Sequence, residues 1–236
     1  MERLLAYQVW EGLGEKKTVT FPYKDVEISF FLPDGWFDLI QRHILLERSF
    51  YEIRLLEVIR GRVGKHATFI DAGANIGNHS IFFGKICQAD RVYAFEPIPH
   101  MRNLLQHNIA LNHAESVTVM PYALGAVSAN AEVDRFNSSN LGSTALVVSG
   151  LGSIKVRPLD SFGIENVDLI KIDVEGAQDL VIKGATSTIE RSNPILVIES
   201  FERDGERERT FALLERIGYT VDEVVGHNII AVPNIS

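Results

Sequence analysis

The sequence predicts an α/β fold with a mainly parallel, seven-stranded sheet that closes on a terminal antiparallel hairpin. Three observations carry this. From residue 67 onward, short and continuously apolar runs alternate with helical stretches, the pattern of strands buried on both faces of a parallel sheet. The last two runs, YTVDEVV and NIIAVP, flank Gly226-His227 and read as a hairpin. With 236 residues, 46% of them hydrophobic, the chain can bury a full core.

Taken in order, KTVTFPYKDVEISFFL at 17–32 gives two β-rich runs around a turn at Pro22-Tyr23-Lys24-Asp25. Between Asp34 and Arg62 the apolar residues Phe37, Ile40, Ile44, Leu45, Ile53, Leu56 and Ile59 recur at helical spacing, with Ser49 as a cap between two helices. Residues 1–48 therefore form a β-hairpin and helical cover, and 49–236 a ligand-binding unit, joined in one compact whole. In that unit ATFIDAG, RVYAFEP, SVTVMPYAL, DLIKIDVEG and PILVIES are strands, with helices over 78–88, 99–112, 177–190 and 206–217. The stretch from Gly125 to Ser161 breaks the rhythm: EVDRF, TALVV and SIKVRPL are extended segments of a β-rich insertion.

Charge and cysteine content exclude several functions. Thirty-one acidic against 23 basic residues leave a formal charge of -8, a poor match for a surface that must neutralise many phosphates, so nucleic acid is not the expected partner. The single cysteine, Cys87, excludes an internal disulfide framework and a cysteine-based metal site; it reads as a packed helix residue. No apolar run approaches membrane-spanning length, and MERLLAYQVWEG has no secretory pattern. A soluble, cytoplasmic protein without a membrane partner is the expectation.

Open α/β sheets bind ligands beyond the carboxyl ends of their strands, where strand order reverses. Asp71 ends the first strand here, Glu96 the second, Asp173 and Glu175 the fourth, and Glu199 the fifth. Glu199 alone reads as a helix cap or a solvated residue. Grouped carboxylates, however, repel unless cations or hydrogen bonds offset them. In FIDAGANIGN, Gly73 lets the chain turn off the strand and Gly77 lets the next helix approach a ligand. The segment lacks the G-x-G-x-x-G spacing of a dinucleotide site, and Asp71 at its start suits a ligand with a cationic amine and sulfonium. Glu96, 19 residues after Gly77, can accept both hydrogen bonds of a ribose diol. Together these features favour S-adenosyl-L-methionine as cofactor over a nicotinamide dinucleotide.

FIDAGANIG, AFEPIPHMRNLLQHNIALN, the NLGSTAL stretch, LDSF and IKIDVEGAQDLVIKGA, in this order, resemble FkbM-type methyltransferases. The resemblance runs from about Phe50 to Glu199. It implies the class I Rossmann-like methyltransferase fold, S-adenosylmethionine as cofactor, and methylation of a hydroxyl on a sugar, glycan or small-molecule natural product. It also places the nucleoside loop on Asp71, Gly73, Asn75 and Gly77, the ribose acid on Glu96, and a Tyr-Glu pair near the methionine end of the cofactor on Tyr51-Glu52. Asn75 can equally stabilise its own turn, and Glu52 can be an ordinary helix-surface charge. If Glu96 holds the ribose, Ile98 lies beside the adenine and Ala123 offers it a backbone amide.

For catalysis the candidates are Asp173 and Glu175, whose alternation on one strand end points them to the same side, and His79, at the start of the helix after the glycine loop. In-line positioning of the acceptor oxygen supplies most of the acceleration, and a carboxylate that takes the hydroxyl proton adds a smaller factor. Asn140, Ser143 and Thr144 offer polar groups near the acceptor mouth. No metal-ligand spacing is assigned. Two alternatives stay open: a metal-assisted O-methyltransferase that uses the same carboxylates, and a non-catalytic ligand-binding module.

Overall fold

A computed structural model describes residues 2–135, 145–149, 152–202 and 205–234. The chain opens with helix α1 (Glu2–Gly12), the hairpin strands β1 (Thr18–Tyr23) and β2 (Val26–Phe31), and helices α2 (Leu39–Glu47) and α3 (Ile53–Arg62). The sheet unit follows as β3 (Thr68–Ala72), α4 (Asn78–Ile81), β4 (Arg91–Phe95), α5 (Pro99–Leu111) and β5 (Val117–Met120). Next come the short strands β6 (Ala123–Leu124), β7 (Ala129–Arg135), β8 (Ala145–Val148) and β9 (Ile154–Arg157). The second half runs β10 (Leu169–Ile172), α6 (Gln178–Lys183), α7 (Thr186–Ser192), β11 (Ile195–Glu199), α8 (Glu206–Arg216), β12 (Tyr219–Val225) and β13 (Asn228–Pro233).

Seven strands form the central sheet in the order β12-β13-β11-β10-β3-β4-β5. The five from β11 to β5 are parallel, and β13 and β12 add antiparallel. The chain builds outward from β3 through β4 and β5, then crosses to β10 on the other side of β3. Strand order therefore reverses between β3 and β10, the place where open α/β sheets hold ligands. Alternation along the strands feeds two cores. Phe69, Val92 and Val197 pack toward α3, α5 and the N-terminal hairpin with Phe30, Phe50 and Leu105, whereas Ile70, Ile170 and Leu196 pack with Val181, Ile189 and Leu214 of α6, α7 and α8. Among the described residues no helix is long and apolar enough to cross a membrane.

Several boundaries differ from the sequence expectation. SVTVMPYAL divides: Pro121 has no N–H for a ladder, Tyr122 N turns back onto Met120 O at 2.9 Å, and β6 joins β7, β8 and β9 in a separate four-stranded sheet. That sheet is the expected insertion; Asn140, Ser143 and Thr144 lie outside the described residues. The helix expected over 177–190 breaks at Gly184, where a β-carbon would sit 2.0 Å from the Gly125 carbonyl oxygen. Ser49 caps neither lead-in helix. Asp38 caps α2 by accepting the Gln41 amide, and α3 starts after Glu52 in a left-handed conformation, φ +56°. Helix α1 is an addition that the sequence pattern did not show.

Asn108 and Asn112 of α5 hold the hairpin in place. Asn108 accepts the Phe31 amide at 2.8 Å and donates to the Ile76 carbonyl at 2.9 Å; Asn112 accepts Ser29 N and donates to Ser29 O. Replacing Asn108 with Ala strands Ile76 O in the interior and frees the hairpin edge. Urea unfolding of Asn108→Ala is expected to show a loss of about 2 kcal/mol, with Asn108→Asp retaining part of it through the bond from Phe31.

Candidate functional site

The parallel register builds the site. Ile172 of β10 lies opposite Ala72 of β3 and Ile198 of β11, and Ala72 lies opposite Phe95 of β4. The next residue on each strand is therefore level with its neighbours: Glu199, Asp173, Gly73 and Glu96 form one row along the carboxyl edge of the sheet.

Between Gly73 and Glu96 the row is held by main chain. Gly73 sits at φ +87°, and a β-carbon there would meet the Asp173 carbonyl oxygen at 1.9 Å. Asn75, also left-handed at φ +51°, donates its amide to Glu96 Oε2 at 2.9 Å, and the Ile98 amide donates to Glu96 Oε1 at 2.7 Å. Each carboxylate oxygen thus keeps one lone pair for a ligand. Burial pushes the Glu96 carboxyl up to about 7, against the lowering pull of the two amides.

Beyond this edge opens a cavity of about 430 Å³, lined by Gly73, Asn75, Glu96, Ile98 and Ala123 and walled by the apolar Met101, Tyr122 and Leu124. A smaller cleft of about 70 Å³ continues from it over Tyr51, Asn78, His79, Lys171 and Glu199. Gly73, Asn75, Glu96, Asp173 and Glu175 line both. One side is shaped for an apolar ring with a diol; the other is densely charged.

Lys171 organises the charged side. Its side chain is 2% exposed, and its Nζ lies 3.0 Å from Asp173 Oδ2 and 3.6 Å from Asp71 Oδ1. Burial alone would lower this ammonium, yet the charges of Asp173, Asp71 and Glu52 hold it above its ordinary value. Asp173 is correspondingly held low: burial opposes its ionisation, and Lys171, a hydrogen bond from Glu199 and the His79 charge outweigh it. Glu199 goes the other way, raised to about 10 by burial and by Asp173. Tyr51, on the opposite wall, is raised to about 12 by burial and by the charges of Glu52, Glu199 and Asp173. Ligand atoms of Asp173, Glu175 and Glu199 all lie within 4.8 Å of one another.

Three of the candidate residues, Asp71, Gly77 and Glu52, line neither cavity. Asp71 is fully buried, accepts the Ser80 hydroxyl at 2.5 Å and looks onto Lys171 beneath the loop. Gly77 lines neither cavity; a β-carbon there would meet Leu105 Cδ1 at 2.7 Å, so its lack of a side chain serves packing against α5. Glu52 lines neither cavity and stands behind His79. Its Oε1 accepts from Asn228 Nδ2 at 2.8 Å, and its Oε2 lies 3.3 Å from His79 Nε2, off line for a hydrogen bond. Burial would raise the Glu52 carboxyl, but the contacts with His79 and Lys171 hold it low.

The remaining residues, Gly73, Asn75, Glu96, Ile98, Ala123, His79, Asp173 and Glu175, all line the cavity or the cleft. Sequence reasoning missed Lys171 and misjudged Glu199. For Lys171 a signal existed: a lysine inside the apolar strand LIKI must find a buried partner, and Asp173 two residues on shares its face. For Glu199 the deciding fact is that β11 lies beside β10, which strand composition does not state.

Comparison with known proteins agrees with this architecture. A family model described as "Methyltransferase FkbM domain" matches residues 71–221. The methyltransferase sdnD of Sordaria araneosa is 29% identical over 189 residues, with 64% of this chain and 73% of that protein covered. The hexuronic acid methyltransferase AglP of Haloferax volcanii is 28% identical over 134 residues, covering 54% of this chain and 53% of that protein. Among solved structures, a methyltransferase FkbM from Methylobacillus flagellatus superposes with a TM-score of 0.56 at 22% identity, over 72% of this chain and 44% of that one. The chain thus spans about half the length of AglP and less than half of the crystallised protein.

The raised Glu96 carboxyl has a measurable consequence. Between its ordinary 4.5 and about 7 the folded state binds more protons than the unfolded chain, so stability falls as pH rises through that window. At about 1.4 kcal/mol per pH unit the contribution reaches at most ~3 kcal/mol. Urea unfolding across that range is expected to show a shallower pH dependence in Glu96→Gln than in the wild type.

Proposed function

The chain belongs to the FkbM family of methyltransferases, and on that premise we propose that it is an S-adenosylmethionine-dependent O-methyltransferase acting on a hydroxyl of a sugar, glycan or small-molecule acceptor. One observation carries the reading: Glu96, anchored by two backbone amides with one lone pair left on each oxygen, faces an apolar cavity that runs directly into a cleft of carboxylates.

The residues fit the cofactor. Ile98, Met101, Tyr122 and Ala123 offer apolar surface and main chain for an adenine ring, Glu96 accepts from the ribose diol, and Asp173 and Glu175 face the cationic end. S-adenosylmethionine, when bound, supplies an electrophilic methyl carbon on sulfonium sulfur. The chain's own work is to hold the acceptor oxygen in line and to receive its proton. Asp173 is suited to the second task, because its carboxylate stays ionised beside Lys171 and its side chain is 29% exposed, into the site. His79, aligned by Asn78 and backed by Glu52, lies on the same cleft and is a second proton acceptor when its ring is neutral. A sugar acceptor is supported by the similarity to AglP, a hexuronic acid methyltransferase, and a small-molecule acceptor is compatible with the same cleft.

The approach of Asp173, Glu175 and Glu199 favours a second reading, in which a divalent cation binds there and acidifies the hydroxyl. Lys171 argues against it, since a cation would sit against an ammonium 3.0 Å from Asp173.

Calorimetry with S-adenosylhomocysteine tests the cofactor half. Binding is expected to tighten from about pH 6 to about pH 8 as Glu96 ionises, and Glu96→Ala to weaken it by about 1.5 to 3 kcal/mol; unchanged affinity in the folded variant would move the nucleoside elsewhere. Mass spectrometry of products from sugars, sugar acids and lysate metabolites tests the acceptor half. Once an acceptor is found, Asp173→Asn is expected to lower turnover roughly 100-fold with S-adenosylhomocysteine affinity nearly intact. A chelator should leave the wild-type rate unchanged, and loss of activity restored by manganese would decide for the cation.

A further inference from the structure

We infer that Glu199 stands beside Asp173 as a neutral hydrogen-bond donor, and that Lys171 is the positioning residue that assigns the role of base to Asp173. The inference deepens the methyl-transfer reading above and rests on it for its kinetic part only.

The register of β10 against β11 sets Asp173 and Glu199 side by side, with their carboxylate oxygens within 4.8 Å of each other. Two carboxyls so placed bond only when one carries the proton. What surrounds them decides which. Lys171 Nζ, fixed by its pair with the buried Asp71, reaches Asp173 Oδ2 at 3.0 Å, and the His79 charge also acts on Asp173. Glu199 feels Lys171 more weakly and faces the negative charges of Asp173 and Glu175, with Tyr51 across the cleft. The proton therefore resides on Glu199, in agreement with its carboxyl being pushed up to about 10.

Chemically, this arrangement gives Asp173 an ammonium on one side and a neutral O–H donor on the other. The acceptor hydroxyl gives its proton to Asp173 while its oxygen bonds the methyl carbon, and the electron pair of the broken carbon–sulfur bond stays on sulfur. Asp173 then releases the proton to water in the open cavity. Glu199 holds the Asp173 carboxylate in place through its own hydrogen bond and keeps its proton throughout. Glu175 and His79 lie on the same cleft and adjust the local field.

Infrared spectra of the full chain without ligands test the assignment whether or not the protein methylates anything. At about pH 9, where ordinary carboxyls and Glu96, at about 7, are ionised, a protonated-carboxyl band is expected. It should vanish in Glu199→Gln and shift to lower pH in Asp173→Asn, where the neighbouring charge is lost and burial remains. No such band in the wild type, or one that survives Glu199→Gln, would overturn the inference. With an acceptor in hand, Lys171→Met is expected to move the acidic limb of the kcat/KM profile upward by about one pH unit or more; a stationary limb in the folded variant would remove Lys171 from the positioning role. Glu199→Gln keeps an N–H donor to Asp173 and Glu199→Leu does not. Turnover is expected to fall about tenfold further in the second, and equal rates would show that the bond does not matter.

Discussion

The ion pair between Lys171 and Asp71 is the interaction on which the rest of this molecule depends. The two residues are direct neighbours across β10 and β3, the strands between which the chain changes direction. Neither side chain meets solvent, and removing one partner of such a pair typically costs about 3–5 kcal/mol, because the other charge is left stranded. Each end also reaches further. Asp71 takes the Ser80 hydroxyl of α4 and so fixes the helix behind the glycine loop, while Lys171 reaches Asp173 at the mouth of the site. The helix behind the loop and the charge of the site are thereby linked through one buried contact.

The glycine loop shows the same economy on the other side of β3. Gly73 is required by the Asp173 carbonyl, which occupies the volume of any side chain. That approach brings the end of β10 within reach of the loop and makes the two cavities continuous. Glu96 then does two things with one carboxylate: it satisfies the Asn75 and Ile98 amides that the turn exposes, and it presents its remaining lone pairs to the cavity. Its raised carboxyl reflects the cost of burial, which the two amides and the Arg102 charge only partly offset.

How much of this was legible in the sequence follows from the kind of information each feature needs. The parallel strands, the terminal hairpin and the row of strand-end acids rest on local periodicity, and FIDAGANIG together with the acid at 96 pointed to residues that line the larger cavity. Placement differs from expectation where tertiary contact decides. Asp71, Gly77 and Glu52 have the residue types of ligand contacts, yet Lys171, Leu105 and His79 respectively claim them. Glu199 looked like an isolated acid because only sheet order places it beside Asp173. Helix α1 gave a weak pattern since Leu4, Leu5 and Tyr7 remain exposed while Ala6 packs inward. Ser49 has the right chemistry for a cap, but Asp38 and the left-handed Glu52 already define the two helix starts.

The N-terminal segment is tied to the site by asparagines that flank the same loop. Asn78, directly after Gly77, accepts the Tyr51 amide at 2.9 Å and donates to the Tyr51 carbonyl at 3.0 Å, which holds Tyr51 over the charged cleft. Asn108 bridges the hairpin strand β2 to Ile76, two residues before Asn78. Both clamps therefore close on the stretch from Ile76 to Asn78, and that stretch continues from Asn75, whose amide binds Glu96. A shift of the loop would move the wall formed by Tyr51 and the anchor formed by Glu96 together. Leu39 and Ile40 line the same cleft from the neighbouring α2. The segment whose sequence says least about an acceptor is thus held by the segment whose sequence says most about a cofactor.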